Sequence, residues 1–134
     1  MASIRKEILI DDRPETVWAA VRDVGAVHER LAPGFVVGTR LDGDARVVTF
    51  ANGTVVRELI VDIDDAACRL AYAAVGGRST HHNASMQVFA DGGNRSRLVW
   101  ITDVLPHDVA GPIGAMIEQG TAIMQRTLGR GVGG

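Results

Sequence analysis

The chain has 134 residues, of which 46% are hydrophobic, and a formal net charge of −2. That length and composition suit a globular fold with a real core and argue against a disordered chain. The slight acidic balance argues against a nucleic-acid binder, which usually carries a basic excess on one face. A single cysteine, Cys68, rules out an internal disulfide and points to a reducing compartment. The opening MASIRKEILIDDRPE lacks the apolar block of a signal peptide. No stretch reaches the roughly 18 apolar residues of a membrane helix. The expectation is a cytoplasmic protein without stable membrane insertion.

Residues 3 to 11 alternate and read as a strand. In DDRPETVWAAVRDV, Asp12 and Glu15 have capping-box spacing, and Pro14 suits a first helical turn. Val17, Trp18, Val21 and Val24 then form one apolar helical face. VHERL predicts a short second helix or turn, ended by Pro33-Gly34. From Phe35 the period changes to two. GFVVGTRL turns at Asp42-Gly43-Asp44, and ARVVTFA turns at Asn52-Gly53, a tight-hairpin signal. TVVRELIVDID, ACRLAYAAV, STHHNASMQVFA and SRLVWITDVL complete an antiparallel meander. From Asp108, a candidate N-cap, apolar residues recur at helical spacing, and Pro112 fits the first turn of that helix. About 20 residues at 1.5 Å each would span roughly 30 Å, the width of a small sheet. GRGVGG reads as a flexible Gly-rich tail from about residue 129 to 134. No linker divides the chain, so residues 1–134 are expected to form one domain.

ILIDDRPETVWAAVRDV, with Pro14, Val17, Trp18 and Asp23, resembles the opening of the polyketide cyclase/dehydrase branch of the START-like, or SRPBCC, helix-grip superfamily. GTVVRELIVDIDDAACRLAYAAVGG, with Glu58, Leu70, Tyr72 and Gly76-Gly77, resembles that family's middle strands. GNRSRLVWITDVLP, with Trp100 and Pro106, resembles its last strand. The resemblance implies an α+β helix-grip fold, a seven-stranded antiparallel sheet curved around a long C-terminal helix. It also implies an internal apolar cavity that takes lipids, polyketides or other apolar molecules. The family has no universal catalytic motif to carry over.

Alternation assigns side chains to that cavity. In the strand from Ser79, His82, Ala84, Met86 and Val88 form the drier face and are placed inward. A four-residue loop, Asp91 to Asn94, pairs Ala90 with Arg95. Counting back, Met86 faces Val99, Ala84 faces Ile101, and His82 faces Asp103. This puts a histidine beside a carboxylate and leaves Trp100 on the outer face. Leu70, Tyr72 and Ala74 are the bulkier face of the preceding strand. Regular pairing conflicts with placing both sets inward, so a bulge is expected near His81-His82-Asn83. In the strand from Thr54, Val55, Leu59, Val61 and Ile63 form the drier face together with Arg57, and Glu58 lies on the other. The family resemblance implies a polar residue of this strand in the cavity, so either Glu58 or Arg57 could meet a polar ligand group. From the last helix, Ile117, Thr121 and Met124 are candidate lining residues. Gly114, Ala115, Gly120, Thr121 and Ala122 keep that helix slim, which favours a cavity over a filled core.

The expected function is binding of a small hydrophobic molecule, with Glu58, Tyr72, His82, Ala84, Met86, Val99, Ile101, Asp103, Ile117, Thr121 and Met124 as the ligand-binding candidates. The alternative is a polyketide cyclase/dehydratase-type (aromatase) enzyme in which His82 and Asp103 form an acid–base dyad aided by Tyr72 or Glu58. A structural role for that pair, as a polar cap at the cavity mouth, is the commoner case. A third reading is an interaction module with a filled core and an exposed Trp100 patch. No metal site is expected, because His81 and His82 alternate in direction and nothing else has ligand spacing. No cofactor and no nucleic-acid partner are expected, and a homodimer is allowed.

Overall fold

A computed structural model describes the backbone of residues 2–133 and the side chains of residues 2–129. Strand β1, Ala2–Ile10, leads into helix α1, Pro14–Arg22, and a five-residue π-helical turn, Val27–Leu31. The meander follows as β2 (Val36–Asp42), β3 (Ala45–Phe50), β4 (Val55–Asp64), β5 (Arg69–Val75), β6 (His81–Ala90) and β7 (Ser96–Leu105). A short 3-10 turn, His107–Val109, opens the long helix α2, Ala110–Gly133. That helix begins ahead of Pro112, which sits within its first turn. The tail expected from about residue 129 falls almost wholly outside the described side chains.

All seven strands form one antiparallel sheet in the order β1-β7-β6-β5-β4-β3-β2. The first strand closes against the last, and α2 packs on β1 and the Val27–Leu31 turn across the concave face. This is the helix-grip architecture. Alternation is the cause: Ile8 and Ile10 of β1, Leu98 and Trp100 of β7, and Met86 and Val88 of β6 all point to the concave side and are buried. Val17, Trp18 and Val21 of α1 join the same cluster, as does the lower part of α2 through Met124 and Leu128.

Several local expectations change. The capping box does not form. Arg13 is the N-cap without a side-chain bond, while the buried Asp12 turns its Oδ1 to the Arg13 N–H at 2.7 Å. Helix α1 is instead tied down at its far end, where Trp18 Nε1 and Arg22 Nε both donate to Asp65 Oδ1, at 2.9 and 2.7 Å. The expected bulge near His81-His82-Asn83 is absent, since β6 pairs with β7 without interruption from His81 to Ala90. The register shifts lie elsewhere, at Val37 in β2 and at Val61 in β4. The second lets Ile60 and Ile63 both pack on the core, while Leu59 and Val61 face outward and exposed. The β3–β4 connection is not a two-residue turn. Phe50 N–H donates to Thr54 O at 2.8 Å, so Ala51, Asn52 and Gly53 form the loop, and only Gly53 takes a positive φ, of 90°.

Candidate functional site

The half of the concave side nearest α1 is filled. The other half holds a pocket of about 320 Å³, between β3 to β7 and the start of α2. Phe35 and Phe50 meet edge to face at 5.3 Å on one wall. Ile113, Met116 and Ile117 of α2 form the facing wall, and Val56, Ala74 and Trp100 lie on the sheet between them. The rim is the β5–β6 loop, Gly76 to Ser79, together with Pro112. Gly120 allows the helix to come this close: a Cβ there would lie 3.2 Å from Phe35 Cε2 and 3.5 Å from Trp100 Cζ3.

On the strands, Glu58, Tyr72, His82 and Thr102 bring polar side chains to this apolar space, and Thr54, Arg78 and Ser79 add polar groups from the connecting loops. The strand positions follow from register. Glu58 pairs with Ala74 on β5 and with Arg46 on β3. Tyr72 pairs with Ala84, and Ala84 with Thr102. Arg46 Nε donates to Glu58 Oε1 at 2.7 Å, with both side chains almost wholly buried. The Arg46 guanidinium also lies 4.9 Å from the centre of the Tyr72 ring, in cation–π range. Trp100 Nε1 donates to the Tyr72 hydroxyl at 3.1 Å. Arg46, Glu58, Tyr72 and Trp100 therefore form one connected set under the pocket.

Burial decides the protonation states here. It pushes the Tyr72 hydroxyl far above the usual phenol range, the Glu58 charge adds to this, and Arg46 opposes it. Tyr72 is therefore a neutral phenol at any physiological pH. Partial burial lowers the His82 imidazole below its ordinary value, and the neighbouring His81 lowers it further. His82 is thus mainly a neutral ring, able to give one hydrogen bond and accept another.

The proposed partner of His82 is not beside it. His82 pairs with Val104, and Asp103 pairs with Asn83 on the opposite face. There Asp103 accepts from the Ser3 hydroxyl and from Asn83 Nδ2, and Asn83 in turn meets His81. The His82–Asp103 dyad is thereby withdrawn. Val99 and Ile101 share that outer face, because Met86 faces Trp100 and Ser85 faces Ile101. Trp100 itself is inward and only 9% exposed, so the exposed Trp100 patch is withdrawn as well. Of the remaining candidates, Glu58, Tyr72, His82 and Ile117 line the pocket. Ala84, Met86 and Met124 are buried but belong to the filled core rather than to the lining. Thr121 does not line it either, and its hydroxyl donates back to the Ile117 carbonyl at 2.7 Å.

A family profile described as polyketide cyclase / dehydrase and lipid transport matches residues 1–131. The chain belongs to this family. Comparison with curated proteins returns no match. Solved structures of the same fold include the XoxI protein of Bacillus cereus, at 18% identity, TM-score 0.83 and 96% coverage of both chains. A START superfamily protein from Mycobacterium smegmatis superposes with TM-score 0.75 at 12% identity, covering 98% of this chain and 97% of the other. Norcoclaurine synthase from Thalictrum flavum, in complex with dopamine and hydroxybenzaldehyde, gives TM-score 0.63 at 18% identity, with 90% and 84% covered. At these identities the likeness shows the polyketide cyclase/START fold alone.

Within that fold, Arg46 and Thr102 are site residues that the sequence reading left out. A two-residue Asn52-Gly53 turn would have set Arg46 opposite Leu59. The three-residue loop sets it opposite Glu58. The readable signal was charge: Arg46 and Glu58 are the ionisable residues that break the apolar inner faces of two strands joined by one hairpin. Among the described residues, no group of three or more His, Cys, Asp or Glu side chains stands close enough to hold a metal ion. No helix among them is long and apolar enough to cross a membrane.

Proposed function

We propose that the chain binds one small, mainly apolar molecule in the pocket between the sheet and the start of α2. The observation that carries this reading is the pocket's composition: apolar walls around a few converging polar groups, the usual make-up of a small-molecule site. Its volume of about 320 Å³ is near the lower end of the roughly 300–1,000 Å³ typical of such sites. That size favours an aromatic or polyketide-like molecule, or a single short acyl chain, over a two-chain lipid. The complex of norcoclaurine synthase supports the aromatic option, since that protein holds two small aromatic compounds on the same fold. The reading treats residues 1–134 as one ligand-binding domain working in the cytoplasm.

A neutral solvatochromic dye such as prodan tests it. Wild-type protein is expected to bind the dye with a blue-shifted emission. Ala74→Phe, which places a ring in the pocket, should weaken binding at least about tenfold with an unchanged circular dichroism spectrum, because apolar burial in the pocket supplies most of the affinity. Equal binding by wild type and Ala74→Phe would sink the proposal. Native mass spectrometry of freshly purified protein would then identify any ligand that co-purifies.

One observation favours a second reading, acid–base chemistry of the cyclase/dehydratase type. His82 is held neutral by burial and shares the pocket with Glu58 and Tyr72, so it has the form needed to take a proton. Under this reading His82→Gln removes turnover of a polyketide substrate while ligand affinity survives. Under the binding reading it changes affinity alone.

A further inference from the structure

The charged groups of the pocket are unequally placed. Glu58 lines the pocket, whereas its counter-charge does not: Arg46 lies behind, with Nε on Glu58 and its plane against Tyr72. Arg46 Nη1 is buried and unpartnered, yet Arg46 is not among the residues facing the pocket. A molecule entering therefore meets a carboxylate first. A carboxylate only accepts hydrogen bonds, whereas His82, uncharged near neutral pH, and the Tyr72 and Thr102 hydroxyls can each donate as well as accept. The positive charge that lines the pocket is Arg78, and it sits at the exposed rim, on the β5–β6 loop. What sets the inside apart is thus a charged acceptor, Glu58, among neutral groups, with a cationic group at the mouth.

Building on the proposed binding function, we infer that the buried end of the ligand is a neutral hydrogen-bond donor, a phenol or alcohol hydroxyl, and not a carboxylate or phosphate. An anion driven to the same depth would lose its hydration and meet the Glu58 carboxylate nearer than the Arg46 guanidinium behind it, so the ion pair does not compensate it in full. A cationic amine gains less than the carboxylate alone would suggest, because Arg46 already compensates Glu58. A hydroxyl donates to Glu58 and fills the pocket without introducing a charge.

Isothermal titration calorimetry at pH 7 with three probes of one skeleton tests this: naphthalene, 2-naphthol and 2-naphthoate. The expected order is 2-naphthol tightest, with 2-naphthoate weaker than 2-naphthol by at least about tenfold, a typical cost of one unfavourable buried charge contact. In Glu58→Gln the Arg46 charge is left without its partner, and the preference should turn toward 2-naphthoate. The wild-type comparison stands by itself should that variant fail to fold. If naphthalene binds but 2-naphthoate binds as tightly as 2-naphthol or tighter, the hydroxyl assignment is overturned and the apolar-ligand function survives. If none of the three binds, both are overturned.

Discussion

The Arg46–Glu58 pair should be costly to break and cheap to remove. Its side chains are 4% and 11% exposed, and the single bond between them is 2.7 Å long. Arg46→Met leaves a carboxylate buried without its counter-charge, a change that typically costs about 3–5 kcal/mol. Unfolding entropy scales at roughly 2.1 cal/mol/K per residue, so 134 residues give about 0.28 kcal/mol/K. A loss of 3 kcal/mol then lowers Tm by about 11 °C. Glu58→Leu strands the guanidinium and should cost a similar amount. The double variant removes both charges together with the unsatisfied Nη1 of Arg46. It should lie within about 1.5 kcal/mol of wild type, because apolar groups can replace a buried ion pair with little loss. Urea denaturation of the four proteins, followed by circular dichroism, yields a coupling energy of at least about 4.5 kcal/mol if this holds. Two single variants that each cost under about 1 kcal/mol, and that add in the double, would mean that water screens the pair. The selection of a hydroxyl by a buried Glu58 charge would then lose its basis.

Two glycines of α2 should respond in opposite ways to alanine. At Gly114 an added Cβ lies 3.8 Å from Ile4 Cδ1, an ordinary contact, so Gly114→Ala should gain about 0.5–1 kcal/mol from helix propensity. At Gly120 the same atom presses on Phe35 and Trp100; Gly120→Ala should show no such gain in thermal melts and should weaken prodan binding severalfold, and equal stabilisation at both sites would contradict the close helix–sheet approach. The depressed His82 imidazole makes stability depend on pH. The unfolded chain takes up that proton more readily, so the His82 contribution is full above the unfolded value of 6.5 and is lost as pH falls from there toward the lower folded value. Urea midpoints between pH 7.5 and 5 should therefore fall less steeply in His82→Gln than in wild type, and parallel slopes would refute the burial of this ring. Ser96, fully buried, donates from its hydroxyl to the Asp12 carbonyl at 2.6 Å. Ser96→Ala should cost about 1–2 kcal/mol in a denaturant titration by orphaning that carbonyl.

The architecture was legible because each of its elements has a strong local cause. Period-two alternation marked every strand, glycine-containing turns separated them, and the change to helical period after Pro106 marked α2. The inward faces of β5 and β6 were also legible: Leu70 and Tyr72, like Ala84, Met86 and Val88, are buried as alternation predicts. Alternation likewise marked Tyr72 and His82, and helical spacing marked Ile117. In β4 the drier alternation pointed instead to Val55, Leu59 and Val61, which are exposed, and Glu58 rested on the family resemblance, with Arg57 as the alternative.

Partner assignments across hairpins failed because they depend on loop parity, which alternation does not contain. Between β6 and β7 the loop runs from Asp91 to Arg95: Asp91 N–H donates to Arg95 O at 3.0 Å, and Ala90 pairs with Ser96. Gly92 and Gly93 both take positive φ, so the local sequence accommodates a four-residue or a five-residue loop without steric penalty. One residue of slip turns every β7 side chain to the other face. The four-residue loop sends Trp100 outward and builds a His82–Asp103 dyad. The five-residue loop buries Trp100 against Tyr72 and leaves Asp103 outside with Ser3 and Asn83. Burial energy separates these registers even though turn chemistry does not. A tryptophan buries more apolar area than the isoleucine or valine that the other register would turn inward, so the register that hides Trp100 is preferred. The same slip decides the chemistry. It exchanges a catalytic-looking ion pair for a pocket whose inner charge is Glu58, with Arg78 at the rim, and so moves the most economical functional reading from proton transfer toward recognition of a hydroxyl.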